Sequence, residues 1–175
     1  MPILLDESGI AAALAKVAES VAKSVPSGCP VGVIGIRSRG DDLARRMLPL
    51  LARHGLNDVA YGCLDITLYR DDLAEIGPSA VVRTTEIDFD VAGCYIVLVD
   101  DVIHTGRSIR AALAAIIDLG RPRAIRLAVL VDREGAGREL PIQPDFVGQR
   151  VAESSGKVTV RLKETDGADR VEVGA

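Results

Sequence analysis

Tryptophan is absent from this chain, and aromatic residues amount to only 3% of it. Few flat rings are therefore available for unpaired nucleic-acid bases to stack on. Cysteine is equally sparse. Cys29, Cys63 and Cys94 are widely spaced, form no C-x-x-C pair, and could be joined only by His54 and His104, which argues against a zinc centre. Each lies in or beside an apolar segment and reads as a buried free thiol. No apolar run is long enough to cross a bilayer. The start, MPILLDESG, has neither the basic end nor the extended apolar stretch of a secretion signal. A reducing, cytoplasmic setting without membrane attachment is the expectation. The net charge of −4 gives no overall pull on nucleic acid or anionic lipid, so any such contact needs a local basic patch.

What is present is an ordinary globular mixture, 48% hydrophobic and 26% charged. Its 175 residues suffice for one domain, spanning 1–175, with its own core. Apolar residues at Ile10, Leu14, Val17 and Val21 predict a helix over 8–25 with Ser8 as its cap. VGVIGI at 31–36 is uninterrupted apolar sequence between turn residues, the pattern of a strand buried on both faces. A helix over 41–53 follows, with Pro49 kinking it or marking a restart and Gly55 closing it. Strands are expected at 59–66, 95–99 and 124–131, a helix at 107–119, and a hairpin of 158–162 with 170–173. The polar stretch 69–90 is long for a connection and reads as a lid or a disordered segment. This alternation predicts an α/β fold: a central, mostly parallel sheet flanked by helices, with a small C-terminal hairpin region.

The segment Val97–Gly120, VLVDDVIHTGRSIRAALAAIIDLG, concentrates the chemistry. An apolar strand ends in two adjacent carboxylates, Asp100 and Asp101, and the turn holding Thr105, Gly106 and Ser108 opens a helix. Acids able to hold sugar hydroxyls thus stand beside a nest of backbone N–H groups at 104–108 able to hold a phosphate. No G-x-x-x-x-G-K-[ST] loop occurs, and glycines at 32, 35 and 40 do not match a dinucleotide fingerprint. In an open parallel sheet, ligands collect at the carboxyl ends of the strands. Arg37–Gly40, Asp100–Asp101 with the following turn, and Asp132–Arg133 should meet there, beneath the loop 69–90.

A helix N-terminus contributes only about 0.3–2 kcal/mol to an anion, against roughly 8 kcal/mol for micromolar binding. Several N–H groups, arginines and a Mg²⁺ ion are the means to cover the difference. Taken singly, the residues have plainer accounts. Thr105 and Ser108 could be helix caps, Arg37 and Arg39 a solvated strand end, His54 a surface residue and His104 a mere backbone donor. Adjacent acids at the tip of a buried strand resist such an account, because their repulsion goes unrelieved without a ligand or cation.

These residues resemble the signature of type I phosphoribosyltransferases, which bind phosphoribosyl pyrophosphate (PRPP). More narrowly, LDITLYRDDL (64–73), VDDVIHTGRSIRAAL (99–113), DLGRPR (118–123) and LAVLVDR with RELPI (127–142) are similar to the PyrR family. The likeness extends from LLDESGI to the last hairpin. It implies a uracil phosphoribosyltransferase that makes UMP and pyrophosphate, and that also attenuates pyrimidine operons by binding leader RNA. It further implies Asp100 and Asp101, the catalytic pair, on the ribose 2′- and 3′-hydroxyls. His104, Thr105, Gly106, Arg107 and Ser108 would cradle the 5′-phosphate, with Val102 and Ile103 leading into the cradle. Ser38, Arg39 and Gly40 would form the pyrophosphate loop, while Arg133 and the backbone near Val158 would lie against uracil. Mg²⁺ would bridge PRPP oxygens through few protein ligands, so no protein-only metal site is implied. A homodimer or larger assembly is implied as well.

The chain departs from the family pattern in places. Ile103–His104 stands where Leu–Tyr is common. Over 133–149, REGAGRELPIQPDFVGQ replaces the usual RGHRELPIRADYVGK, with a longer loop, no His, and Gln143 and Gln149 where cations are usual. Ala15 and Glu19 occupy a helix face where the family offers hydrogen-bonding and basic groups. Fewer phosphate-neutralising cations weaken RNA binding, leaving Arg138 and Lys16 to sustain it. Two alternatives stay open: a phosphoribosyltransferase for another base, and a non-catalytic RNA-binding regulator that senses UMP or PRPP. The intact acids and the Arg37–Arg39 loop favour catalysis.

Overall fold

The computed structural model describes residues 2–152 and 156–174. The chain begins with strand β1 (Ile3–Leu5) and helix α1 (Glu7–Ser24), followed by β2 (Val31–Ile36), α2 (Arg39–Arg53) and β3 (Val59–Leu64). A single helical turn, α3 (Leu73–Ile76), stands in the long crossing to β4 (Tyr95–Ile103), which leads into α4 (Arg107–Leu119) and β5 (Ala124–Glu134). The last elements are β6 (Phe146–Ala152), β7 (Lys157–Arg161), α5 (Lys163–Asp166) and β8 (Arg170–Gly174). Strands β2 to β6 form one sheet, parallel throughout, in the order β3-β2-β4-β5-β6. A smaller antiparallel sheet has the order β1-β8-β7.

Side chains of β4 explain why its sequence is unbroken apolar. Val97 and Val99 enter a core shared with α1 and α2, whereas Ile96 and Leu98 enter one shared with α4. Both faces of the sheet are therefore covered. The stripe Ile10, Leu14, Val17 and Val21 of α1 is buried as its spacing predicts. The first core continues into the small sheet through Val160, Val171 and Val173.

Several boundaries differ from expectation, each for a local reason. Asp6 caps α1, its Oδ1 accepting the Gly9 N–H at 2.8 Å, while the Ser8 hydroxyl donates to that same atom. Helix α2 runs through Pro49 without a break, with Met47 and Leu51 fully buried on either side of it. Strands β4 and β5 extend past their apolar stretches, so Asp100, Asp101 and Asp132 lie within strands. Strand β6 is not legible in the sequence, because an edge strand with a solvated side mixes polar and apolar residues. Strand β1 is only three residues long and takes its pairing from β8. The stretch 69–90 is ordered by α3, by 3₁₀ turns at Thr67–Tyr69 and Gly77–Ser79, and by a pair of 2.8 Å backbone hydrogen bonds between Cys63 and Glu86. Cys63 and Cys94 are buried free thiols, but Cys29 is only half-buried. Among the described residues no helix is long and apolar enough to cross a membrane.

Candidate active site

The chain leaves β2 toward one edge of the sheet and β4 toward the other, so the strand order reverses between them. Connections diverge at such a point and leave a crevice at the carboxyl ends. Here it is a cavity of about 280 Å³ walled by three segments: Arg37, Ser38 and Arg39 after β2, Asp65, Thr67 and Arg70 after β3, and Asp100 and Asp101 on β4. A smaller cavity of about 100 Å³ shares Val102 and Ser108 with it, and Ile103, His104, Thr105 and Gly106 line its walls.

Asp100 is 8% exposed. Its Oδ1 accepts the Asp101 N–H at 2.9 Å, and Asp101 Oδ1 accepts the Val102 N–H at 2.8 Å. Burial pushes Asp100 well above the ordinary carboxylate range, and the charge of Asp101 pushes it further. Burial raises Asp101 too, opposed by the Val102 N–H and by the positive charge of Arg39. Adjacent acids in this state, one buried and one half-buried, call for hydroxyl donors or a cation from a ligand.

Beside them, α4 begins at Gly106, whose φ of 91° lies in the left-handed region that favours glycine. A glycine cap has no side chain to offer, so Thr105 and Ser108 are not caps of the ordinary kind. Thr105 Oγ1 accepts the Arg107 N–H at 3.3 Å. Ser108 and Ile109, in the first turn of α4, where backbone N–H groups have no partner within the helix, both line the small cavity. Arg107 is tied to loops on both sides, to Asp71 at 2.6 Å and to Glu139 at 2.5 Å.

Across the crevice, Arg39 clasps Asp166 of α5 through Nε at 3.0 Å and Nη2 at 2.8 Å. The returning limb of the long loop sits on the end of β2: Arg37 Nε donates to the Thr84 carbonyl at 2.8 Å, and Arg83 Nη1 to Ser38 Oγ at 3.1 Å. Gly40 lets α2 start against β4, since a Cβ there would lie 2.6 Å from the Val99 carbonyl oxygen and 3.1 Å from Asp100 Cα. Gly40→Ala is expected to destabilise the fold by about 1–3 kcal/mol through that overlap, read as a lower denaturant midpoint.

The structure thus gathers Ser38, Arg39, Asp100, Asp101 and residues 102–108 at one end of the sheet. Arg133, on β5 opposite Val151, lines neither of these two cavities. Val158 packs against the core shared by α1 and α2. Asp132 is 1% exposed and paired with Arg138 at 2.6 Å, closed off from the crevice. Arg138 itself has a side chain only 10% exposed, which corrects its reading as a surface cation for RNA. Asp65, Thr67 and Arg70 were not singled out by the sequence, although they directly follow β3 and lie within the LDITLYRDDL motif. Among the described residues no cluster of three or more His, Cys, Asp or Glu side chains could hold a metal ion.

A family model for the phosphoribosyl transferase domain matches residues 3–162. The hypoxanthine phosphoribosyltransferase of Trypanosoma cruzi aligns with a TM-score of 0.75, covering 99% of this chain and 95% of that one at 17% identity. At such low identity the likeness speaks for the fold alone. The chain is a phosphoribosyl transferase-domain protein. The bifunctional protein PyrR of Pelotomaculum thermopropionicum is 48% identical over 169 residues, 96% of this chain and 92% of that protein. That of Thermus thermophilus is 51% identical over 162 residues, 92% and 88% respectively. The chain belongs to the PyrR family.

Proposed function

We propose that the protein is a uracil phosphoribosyltransferase, converting uracil and PRPP to UMP and pyrophosphate. The junction of the adjacent acids, Asp100 buried and Asp101 half-buried, with the glycine-capped start of α4 carries this reading. Ribose 2′- and 3′-hydroxyls are the donors that relieve both carboxylates, and a 5′-phosphate is the anion that residues 102–108 suit. Ser38, Arg39 and Gly40 stand across the crevice, where pyrophosphate departs. The C1′–O bond to pyrophosphate breaks as the N1–C1′ bond forms, and the N1 proton passes to solvent. Positive charge grows on the ribose carbon beside the carboxylates, so positioning and charge stabilisation do most of the chemistry. The limb 81–86 and Arg70 help keep water from the activated sugar.

The donor set fits Mg²⁺ held mainly by PRPP: two carboxylates seeking a cation, and no self-sufficient metal cluster among the described residues. Asp100 and Asp101 are the residues that would hold the ion alongside substrate oxygens, and it would neutralise the pyrophosphate charge. Arg133 is the proposed base contact together with the Val158 backbone. Its Nε has no hydrogen-bond partner among the described residues but is closed to solvent and outside both cavities, so this contact requires the Arg133 side chain to turn toward the crevice. Replacing Arg39 by Gln should raise KM for PRPP about 10- to 100-fold, the worth of a charge-assisted hydrogen bond, and should move KM for uracil much less.

UMP formation from uracil and PRPP with Mg²⁺, beside orotate, hypoxanthine and xanthine, tests the reading. Turnover with uracil alone supports it. Turnover with another base instead moves the base assignment, and no turnover despite UMP binding makes the protein a nucleotide-responsive regulator. An RNA-binding role on pyrimidine leaders has the family's bifunctional name in its favour. On this chain Arg138 is turned inward, while Lys16 stays exposed near a Glu19 already paired with Lys23 at 2.6 Å. A gel shift with leader RNA and UMP decides that role.

A further inference from the structure

We propose that Arg138 is a positioning residue that sets the phosphate cradle, acting through the backbone of His104 and Thr105; this rests on reading residues 104–108 as the 5′-phosphate site. Arg138 lies in the connection from β5 to β6, and its guanidinium serves acceptors from separate parts of the chain. Nε donates to the His104 carbonyl at 2.5 Å. Nη1 donates to the Ile142 carbonyl at 2.6 Å and reaches Gln143 Oε1 at 3.4 Å. Nη2 donates to Asp132 Oδ1 at 2.6 Å. The next two residues extend the clamp, for the Glu139 and Leu140 N–H groups both donate to the Thr105 carbonyl, at 3.0 and 3.2 Å.

In a trans peptide the carbonyl and the N–H of one plane point in opposite directions. Anchoring the His104 carbonyl therefore turns the Thr105 N–H away from Arg138. Anchoring the Thr105 carbonyl turns the Gly106 N–H away in the same manner. Two donors of the cradle are thus aimed before any ligand arrives, and the cradle avoids the cost of ordering them on binding. The clamp packs directly on the turn: a Cβ on Gly106 would meet Leu140 Cβ at 3.5 Å and Arg138 Cδ at 3.7 Å. Lysine could not substitute, because a point charge cannot serve two carbonyls and a carboxylate along one planar fork. Asp132, nearly inaccessible to water, fixes the far end of that fork.

The test compares affinities for UMP and uridine in the wild type, Arg138→Lys, and the double variant Asp132→Asn/Arg138→Met. The two ligands share base and sugar, so their ratio reads the cradle alone. A wild type that does not prefer UMP overturns the site reading itself, whatever the variants do. Given that preference, the ratio is expected to fall at least about tenfold in both variants, with uridine affinity little changed. The double variant removes both charges together, so no buried carboxylate is left alone. An unchanged ratio in a folded variant, or equal losses for both ligands, overturns the proposal. Should neither variant fold, wild-type amide resonances decide it. Those of Thr105 and Gly106 must shift with UMP and not with uridine, and their indifference overturns the proposal.

Discussion

Asp100→Asn is expected to lower turnover by about 10²–10³-fold, the scale of removing one preorganised electrostatic contact, while making the ligand-free protein more stable at neutral pH. The two effects have one cause. Burial and the neighbouring Asp101 hold the Asp100 carboxyl well above its ordinary range. A carboxyl that keeps its proton more tightly when folded destabilises the fold once ionised. That penalty is complete above the folded pKa and vanishes as pH falls to the unfolded value, about 4. Wild type should therefore gain stability on mild acidification, and the advantage of Asp100→Asn should be largest near pH 8 and absent near pH 4. For a chain of this size each kcal/mol moves Tm by about 2–4 °C, which melts at several pH values can resolve. Asp101→Asn should lose turnover similarly but gain less stability, because Arg39 and the Val102 N–H already favour its charged form. Substrate should reverse the order, stabilising wild type more than either variant. Wild-type turnover in both variants, or coincident melts at every pH, would discard the assignment of the pair.

The acid pair and the turn at Gly106 are legible in the sequence because a strand tip and the helix that follows it are neighbours along the chain. The parallel sheet is legible for a similar reason, since burial on both faces leaves unbroken apolar runs. Features created by distant partners are not. Strands β1 and β6 owe their pairing to β8 and β5, and nothing within ILL or FVGQRVA announces those neighbours. Arg138 looks like one more surface cation until Asp132 and two carbonyls surround it. Arg39 is met by Asp166, an acid from the far end of the chain. Charged side chains are read as exposed by default, and only the folded chain shows which carry partners inward.

The acids that follow β7 also give the second large effect, in Arg46→Ala. Arg46 Nε and Nη2 hold the two Glu164 carboxylate oxygens at 2.8 and 2.5 Å, and Nη1 and Nη2 hold both oxygens of Asp169 at 2.8 Å. The Asp169 side chain is only 6% exposed, so removing the arginine strands a nearly buried charge. A cost of about 3 kcal/mol is expected, at the low end for a buried pair because Glu164 is half in water. Since α5 also carries Asp166, the loosening should reach Arg39 and raise KM for PRPP. Hydrogen bonds from Arg46 hold Glu164 and Asp169 below the usual carboxylate range, and those from Arg39 do the same for Asp166. Depressed acids act opposite in sign to Asp100: their contribution is complete above about pH 4, the unfolded value, and is lost as pH falls through the folded pKa values. Stability of the ligand-free protein should therefore peak in mildly acidic solution, where the Asp100 pair is relieved and the α5 cluster is still ionised. Below that peak, hydrogen exchange should appear first in β7 and β8. Arg46→Ala should flatten the acid limb while leaving the alkaline limb in place. An acid limb of unchanged steepness in the variant would show that other carboxylates set it.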